Sequence, residues 1–211
     1  MANYYHSPAL DGSRPGAFYV AYRGTTEESR LMVVFHHEAI PGHHAQLTIA
    51  AELDLPLFMR VLDTNGMCEG WELYSEELTY DLGMYEGRPL DNLSRLNLAL
   101  IRAVRLVIDT GIHTYGWTRD EASAYVEDVC GYRRGSFRQA VERYVVLPAQ
   151  GSGYLVGKLF IEDLRDRARE ARGDAFDLAA FHDVILGSGS VPLEVLEDLV
   201  DRYIEEETGS V

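Results

Sequence analysis

The sequence is poor in the features that would place it outside ordinary globular proteins. It has two cysteines, Cys68 and Cys130, with no paired spacing. That excludes a disulfide framework and a cysteine-based structural zinc knuckle. Basic residues are scarce, 19 against 34 acidic ones, for a formal charge of −15. Nucleic acid and anionic membranes both reward positive patches, so neither is expected as a partner. No apolar run approaches the length of a membrane span, and Met1-Ala2-Asn3-Tyr4-Tyr5-His6 lacks a charged-then-apolar signal pattern. A cytoplasmic, thiol-reduced setting is the expectation. There is no internal repeat, low-complexity tract or linker. With 211 residues, 46% apolar and 25% charged, residues 1–211 are read as a single domain with its own core.

Against that background one stretch stands out, Phe35-His36-His37-Glu38-Ala39-Ile40-Pro41-Gly42-His43-His44. Four of the seven histidines fall here, with a glutamate directly after His37. Neutral imidazoles and a carboxylate so close together suit a divalent metal of zinc type.

The rest of the chain reads as mainly α. Residues 1–24 are expected to be irregular and extended, with one short strand in Ala17-Phe18-Tyr19-Val20-Ala21-Tyr22. Thr25 or Thr26 caps a first helix, Glu27 and Glu28 lie in its first turn, and it runs through Leu31–Phe35 into the histidines. Pro41 removes a backbone donor and Gly42 adds freedom, so this helix should break there and resume over Ala45–Ala51. Further helices are predicted over Met67–Met84, over Asn92–Tyr115 and, capped by Thr118, over Arg119–Val129. Another is capped by Ser136 and stopped by Pro148, and three more cover 150–171, 177–186 and 192–206. On the third helix Leu93, Leu96, Leu100, Val104 and Val107 are assigned to the core side.

In the common zincin motif two histidines lie one turn apart with a glutamate after the first. Here His43 and His44 follow His37 by six and seven residues. On an unbroken helix His44 would lie about 20° from His37 and His43 about 120° away. The Pro-Gly break cancels that preference, and geometry alone leaves both open. A third ligand is available from Glu69, Glu72 or Glu76, which stand at i, i+3 and i+7 and share one helical face. Such a stripe is unstable without a cation against it. Asp109 and His113 are spaced i, i+4, so the carboxylate can orient the imidazole. Tyr154 sits in Pro148-Ala149-Gln150-Gly151-Ser152-Gly153-Tyr154, where small residues let backbone approach a ligand closely. Arg143, Tyr144 and Arg165 read as packing and salt-bridge residues.

His37-Glu38-Ala39-Ile40-Pro41-Gly42-His43-His44, then Glu69-Gly70-Trp71-x-Leu73-Tyr74-Ser75-Glu76, then Pro148–Gly157 resemble the bacterial "domain of unknown function 885" proteins. The Glu-Gly-Trp segment also resembles the third-ligand segment of gluzincin metallopeptidases. The resemblance covers nearly the whole chain but only the C-terminal, catalytic part of a usual family member. It implies a zincin-like helical domain holding one zinc ion through His37, His43 and Glu69, with Glu38 as general base. It places Tyr154 and His113 as further catalytic groups and favours His43 over His44. The activity it implies is hydrolysis of amide or peptide bonds in a small peptide or small amide-bearing substrate. A second copy of the chain would complete the cleft that the family's N-terminal portion walls. Two other readings fit the same residues: a metal-dependent enzyme of small-molecule biosynthesis, and a metal-stabilised, non-catalytic subunit.

Overall fold

The computed structural model describes residues 3–21 and 28–208, and within them the chain is mainly helical. Two short strands, β1 (Tyr4–His6) and β2 (Ala17–Tyr19), pair antiparallel with Tyr4 opposite Tyr19. Helices α1 (Glu28–Glu38), α2 (His43–Glu52), α3 (Leu57–Val61), α4 (Asn65–Asp81) and α5 (Pro89–His113) follow. After them come α6 (Arg119–Cys130), α7 (Arg138–Val146), α8 (Gln150–Arg172), α9 (Leu178–Gly187) and α10 (Leu193–Thr208). The expected break at Pro41-Gly42 separates α1 from α2. Strand β1 and helix α3 were not anticipated. The Thr25 or Thr26 cap, Glu27 and Tyr22 lie outside the described residues.

Local chemistry accounts for several boundaries. Thr118 and Glu121 form a reciprocal capping box at the start of α6, and Gly131 ends that helix in the left-handed region at φ 68°. Asp177 accepts the backbone N–H groups of Ala179 and Ala180 and so starts α9. Ser136 does not cap α7; that place falls to Phe137, which supplies no side-chain bond.

The largest core cluster joins α4, α8, α9 and α10 through Trp71, Tyr74, Ile161, Leu164, Phe181, Ile185, Leu196 and Val200. Val104 and Ile108 of α5 pack with Val126 and Val141 of α6 and α7. Val33 and Val34 of α1 pack on Leu98 and Ile101. Of the residues assigned to the core side of α5, only Val104 is buried. Leu93, Leu96, Leu100 and Val107 are exposed, by 62%, 51%, 41% and 38%. The helix is rolled so that Arg95, Arg102 and Asp109, seven residues apart, point inward with Leu98, Ile101 and Ile108. Each inward charge meets a partner there, Glu77, Glu76 and the start of α8 respectively.

Helices α4 and α8 approach until their backbones touch. A Cβ on Gly157 would lie 1.8 Å from the Gly66 carbonyl oxygen and 2.7 Å from Gly70 Cα, and one on Gly153 would strike Asn65. The small residues of the 148–157 segment therefore serve helix-to-helix contact, not the backbone-to-ligand approach expected. Because the obstruction is backbone, relief requires the helices to part. Gly157→Ala should destabilise the chain by about 3 kcal/mol, the upper end for overpacking. Urea denaturation measures this, and an unchanged midpoint would contradict the close approach.

Candidate metal centre

The site forms where the α1–α2 break faces α4. After Glu38 the chain turns through a cis Ile40–Pro41 peptide, and the Gly42 N–H returns to the His36 carbonyl at 3.1 Å. A Cβ on Gly42 would meet the His37 carbonyl oxygen at 1.8 Å, so only glycine fits. Trp71 Nε1 donates to the Pro41 carbonyl at 2.9 Å and ties the turn to α4. His43 becomes the first residue of α2 and faces His37, with ring centroids 5.1 Å apart and planes at 83°.

His37, His43 and Glu69 are brought together, one donor atom from each lying within 4.8 Å of the others. Glu69 Oε2 lies 3.8 Å from Nε2 of His37 and 3.7 Å from Nε2 of His43. In a zinc tetrahedron neighbouring donor atoms stand about 3.3–3.5 Å apart, so a small inward movement would close the set. Glu69 Oε2 is buried and has no hydrogen-bond partner among the described residues, whereas Oε1 accepts from Gln150 Nε2 at 3.1 Å. A carboxylate oxygen sealed from water and left unpaired between two imidazoles is the arrangement a cation resolves. The donor set therefore fits a divalent ion of zinc type.

His44 takes no part in this cluster. Its Nδ1 meets Tyr5 Oη at 2.9 Å and Thr48 Oγ1 at 3.4 Å, on the side of the N-terminal hairpin. The choice that spacing left open falls to His43. His36 also turns away, with Nδ1 near the Ile40 carbonyl and its ring against Tyr85.

The other two glutamates of the stripe stand behind the histidines. Glu76 Oε1 lies 2.9 Å from Nδ1 of His37, and Glu72 Oε1 lies 2.9 Å from Nδ1 of His43. Each carboxylate fixes its imidazole with Nε2 turned toward Glu69. Burial alone would lower the His43 imidazole, but Glu72, with Glu69 and Glu38, holds it up at about 9. A metal must displace that proton. The two supports differ. Burial pushes Glu72 above the usual carboxylate range even beside His43. Glu76 would rise too, but Arg102, 3.0 Å away, and His37 hold it below that range. Cys68 Sγ lies 3.6 Å from Nδ1 of His43. Burial raises its thiol far above the ordinary value, so it lines the support rather than forming a second thiolate site.

Glu38 follows His37 on α1 and is buried, and its carboxylate makes no hydrogen bond or ion pair with another described residue. Its charge reaches His43. Tyr154 stacks on His37, centroids 6.2 Å apart and planes at 14°, and Gln150 bridges its hydroxyl to Glu69. Burial first, then the Glu69 charge, push the phenol well above its ordinary value, leaving it a proton-bearing donor. His113 is not brought into the cluster. Its Nε2 donates to the Tyr144 carbonyl at 3.0 Å, with Asp109 at 3.6 Å. Asp109 itself accepts the backbone N–H groups of Ala149 and Ser152, so the pair fixes the start of α8. Gln150, Arg102 and the separate roles of Glu72 and Glu76 were not foreseen. The heptad spacing of Arg95, Arg102 and Asp109 was the signal available for Arg102.

The family described as bacterial protein of unknown function (DUF885) matches residues 1–200. The chain belongs to that family. Comparison with curated proteins gave no match. Among solved structures, a "putative lipoprotein" from Colwellia psychrerythraea is 42% identical with a TM-score of 0.94, over 98% of this chain and 36% of its own. A "putative lipoprotein of unknown function" from Shewanella oneidensis is 26% identical with a TM-score of 0.81, over 94% of this chain and 39% of its own. The chain thus spans well under half the length of these two similar proteins. They correct the expectation of a cytoplasmic setting, since both are described as lipoproteins, a class held at a membrane. The physical reason is plain: an address was read from the first residues of a segment matching about a third of longer chains. Among the described residues no helix is long and apolar enough to cross a membrane.

The unequal supports give a stability test on the metal-free chain. Glu76→Gln leaves Arg102 buried without its counter-charge, which should cost about 3 kcal/mol. Glu72→Gln removes a poorly solvated charge and should cost less. Thermal denaturation in chelator compares them; equal losses would contradict the asymmetry.

Proposed function

We propose that this chain is the catalytic segment of a zinc-dependent hydrolase of amide or peptide bonds. The observation that supports the reading best is the buried, unpaired Glu69 Oε2 facing Nε2 of both His37 and His43. His37, His43 and Glu69 would hold the ion, with Glu72 and Glu76 orienting the two imidazoles. A zinc ion held by three protein groups supplies Lewis acidity and makes water acidic near neutral pH. Glu38 takes the proton from the attacking water and returns it to the leaving nitrogen. Its lack of a fixed partner among the described residues leaves the carboxylate available for that transfer. Tyr154 donates its phenolic hydrogen to the oxyanion of the tetrahedral state, a kind of contribution worth roughly 3–4 kcal/mol elsewhere. The gluzincin likeness of the Glu69-Gly70-Trp71 segment agrees with this division of labour. The lipoprotein description of both relatives favours a substrate met outside the cytoplasm, a small peptide or other small amide.

Two measurements test the reading. His43→Ala should abolish stoichiometric zinc uptake while His44→Ala retains it, as read by metal analysis after dialysis; the opposite pattern would overturn the ligand set. Glu38→Gln should keep zinc and lose at least about a hundredfold in turnover against a panel of short peptides and small amides. Full activity in that variant would end the mechanism.

A further inference from the structure

We propose that Arg105 is an anion-binding element beside the metal centre, and that the substrate carries a free carboxylate within about three residues of the amide that is cleaved. The proposal deepens the hydrolase reading and rests on it for the word substrate.

Helix α5 sends arginines toward the site at positions 95, 102 and 105, and their fates differ. Arg95 pairs with Glu77, and Arg102 with Glu76. Arg105 pairs with no carboxylate among the described residues, in a chain with 34 acidic side chains. It is half-buried, and its Nε is sealed from water without a hydrogen-bond partner among the described residues. The nearest acid on its own helix one turn on, Asp109, is already taken up by the N–H groups that begin α8.

The guanidinium is nevertheless held in place. Its carbon stands 5.2 Å from the centroid of the Tyr154 ring and 5.6 Å from that of Tyr144. Two aromatic rings fix a guanidinium by cation–π contact without neutralising it. What results is a positioned, uncompensated fork, the geometry that receives a carboxylate through two parallel hydrogen bonds. Tyr154 connects this fork to the metal centre, because His37 lies against the same ring at 6.2 Å. Through the shared ring the guanidinium and the His37 imidazole stand at most about 11 Å apart, and consecutive residues of a peptide are spaced by about 3.8 Å, so the carboxylate lies within about three residues of the cleaved amide. A ligand with its amide at His37, His43 and Glu69 and its carboxylate at Arg105 would lie along Tyr154. The substrate class is then amides of amino acids with a free α-carboxylate: short peptides cut near the C-terminus, or N-acyl amino acids.

Binding rather than turnover provides the test. Paired di- and tripeptides and N-acetyl amino acids, each as the free acid and as the C-terminal amide, are titrated calorimetrically into zinc-loaded Glu38→Gln protein and into the metal-free wild-type chain. At least one free acid should bind about tenfold tighter than its amide twin. Arg105→Met, which keeps the stem against the tyrosines, should bring that acid down to its amide. Arg105→Lys, which keeps charge without the fork, should fall between. Circular dichroism confirms that both variants are folded. No acid-over-amide preference anywhere in the panel, or a preference that survives Arg105→Met, overturns the proposal. Zinc content is scored separately. An Arg105-dependent preference in a chain that takes up no zinc would uphold the anion site and sink the hydrolase reading alone.

Discussion

Helix α4 carries Glu69, Glu72 and Glu76 on one face, and the fold buries the last two almost completely, at 0% and 1% exposure. An unpaired carboxylate in such a place costs several kcal/mol, more than any single apolar contact returns. Every neighbouring feature answers that demand. The α1–α2 turn carries two imidazoles to the face, α5 brings Arg102, and α8 brings the Gln150 amide. The turn is shaped for delivery: glycine at 42 lets it pass the His37 carbonyl, and Trp71, itself on α4, holds the Pro41 carbonyl. The same helix thus presents the acids and anchors the loop that neutralises them. Of the oxygens on this face left without a hydrogen bond among the described residues, Glu69 Oε2, both of Glu72 and Glu76 Oε2, that of Glu69 faces Nε2 of both histidines, where a further cation would improve the balance.

Approach of α8 is the second requirement, and it is steric. Gly66 and Gly70 on α4 meet Gly157 on α8 with no side chain between the backbones, and Gly153 leaves room for the Asn65 side chain. Gln150 and Tyr154, one turn apart at the start of α8, are carried over Glu69 and His37 as a result. With an alanine at Gly157 the interaxial distance would have to grow, and the short side chain of Gln150 would no longer reach both partners. Packing and chemistry are therefore coupled through the glycine register, and the sequence Gly-Ser-Gly-Tyr-Leu-Val-Gly encodes both.

Helical content and the break at Pro41 are legible in the sequence because they rest on local signals, periodicity and a proline; spacing leaves Glu69, Glu72 and Glu76 open as partners of His37, and the family resemblance is what singles out Glu69. The acidic stripe of α4 was also visible, together with its need for a cation. Two things were not. Whether His43 or His44 turns inward depends on the path of the four-residue turn over 39–42, which helical angles do not describe. The role of His113 depends on where α7 ends, since the Tyr144 carbonyl takes its ring nitrogen. An i, i+4 carboxylate–histidine pair looks the same in sequence whether it faces a metal or a helix terminus. The small residues before Tyr154 were noticed for the right reason, close approach, but the approaching surface is another helix.

The roll of α5 shows which force decides when two patterns compete on one helix. Apolar residues at 93, 96, 100 and 107 and at 98, 101, 104 and 108 each make a plausible core stripe. Turning the first stripe inward would bury four side chains that are now 38–62% exposed, a gain of about 1 kcal/mol each at the usual area coefficient. It would also withdraw Arg102 from Glu76 and Asp109 from the start of α8. Breaking one buried pair costs about 3–5 kcal/mol, and orphaning helix N–H groups adds to it. The observed orientation keeps a buried apolar stripe and both polar anchors, so it wins by a margin that exposed leucines cannot recover. Arg105 lies between the two faces, a position that a helix rolled for leucine burial would not give it. The charge that holds Glu76 and the charge left free beside Tyr154 thus follow from one choice of helix rotation.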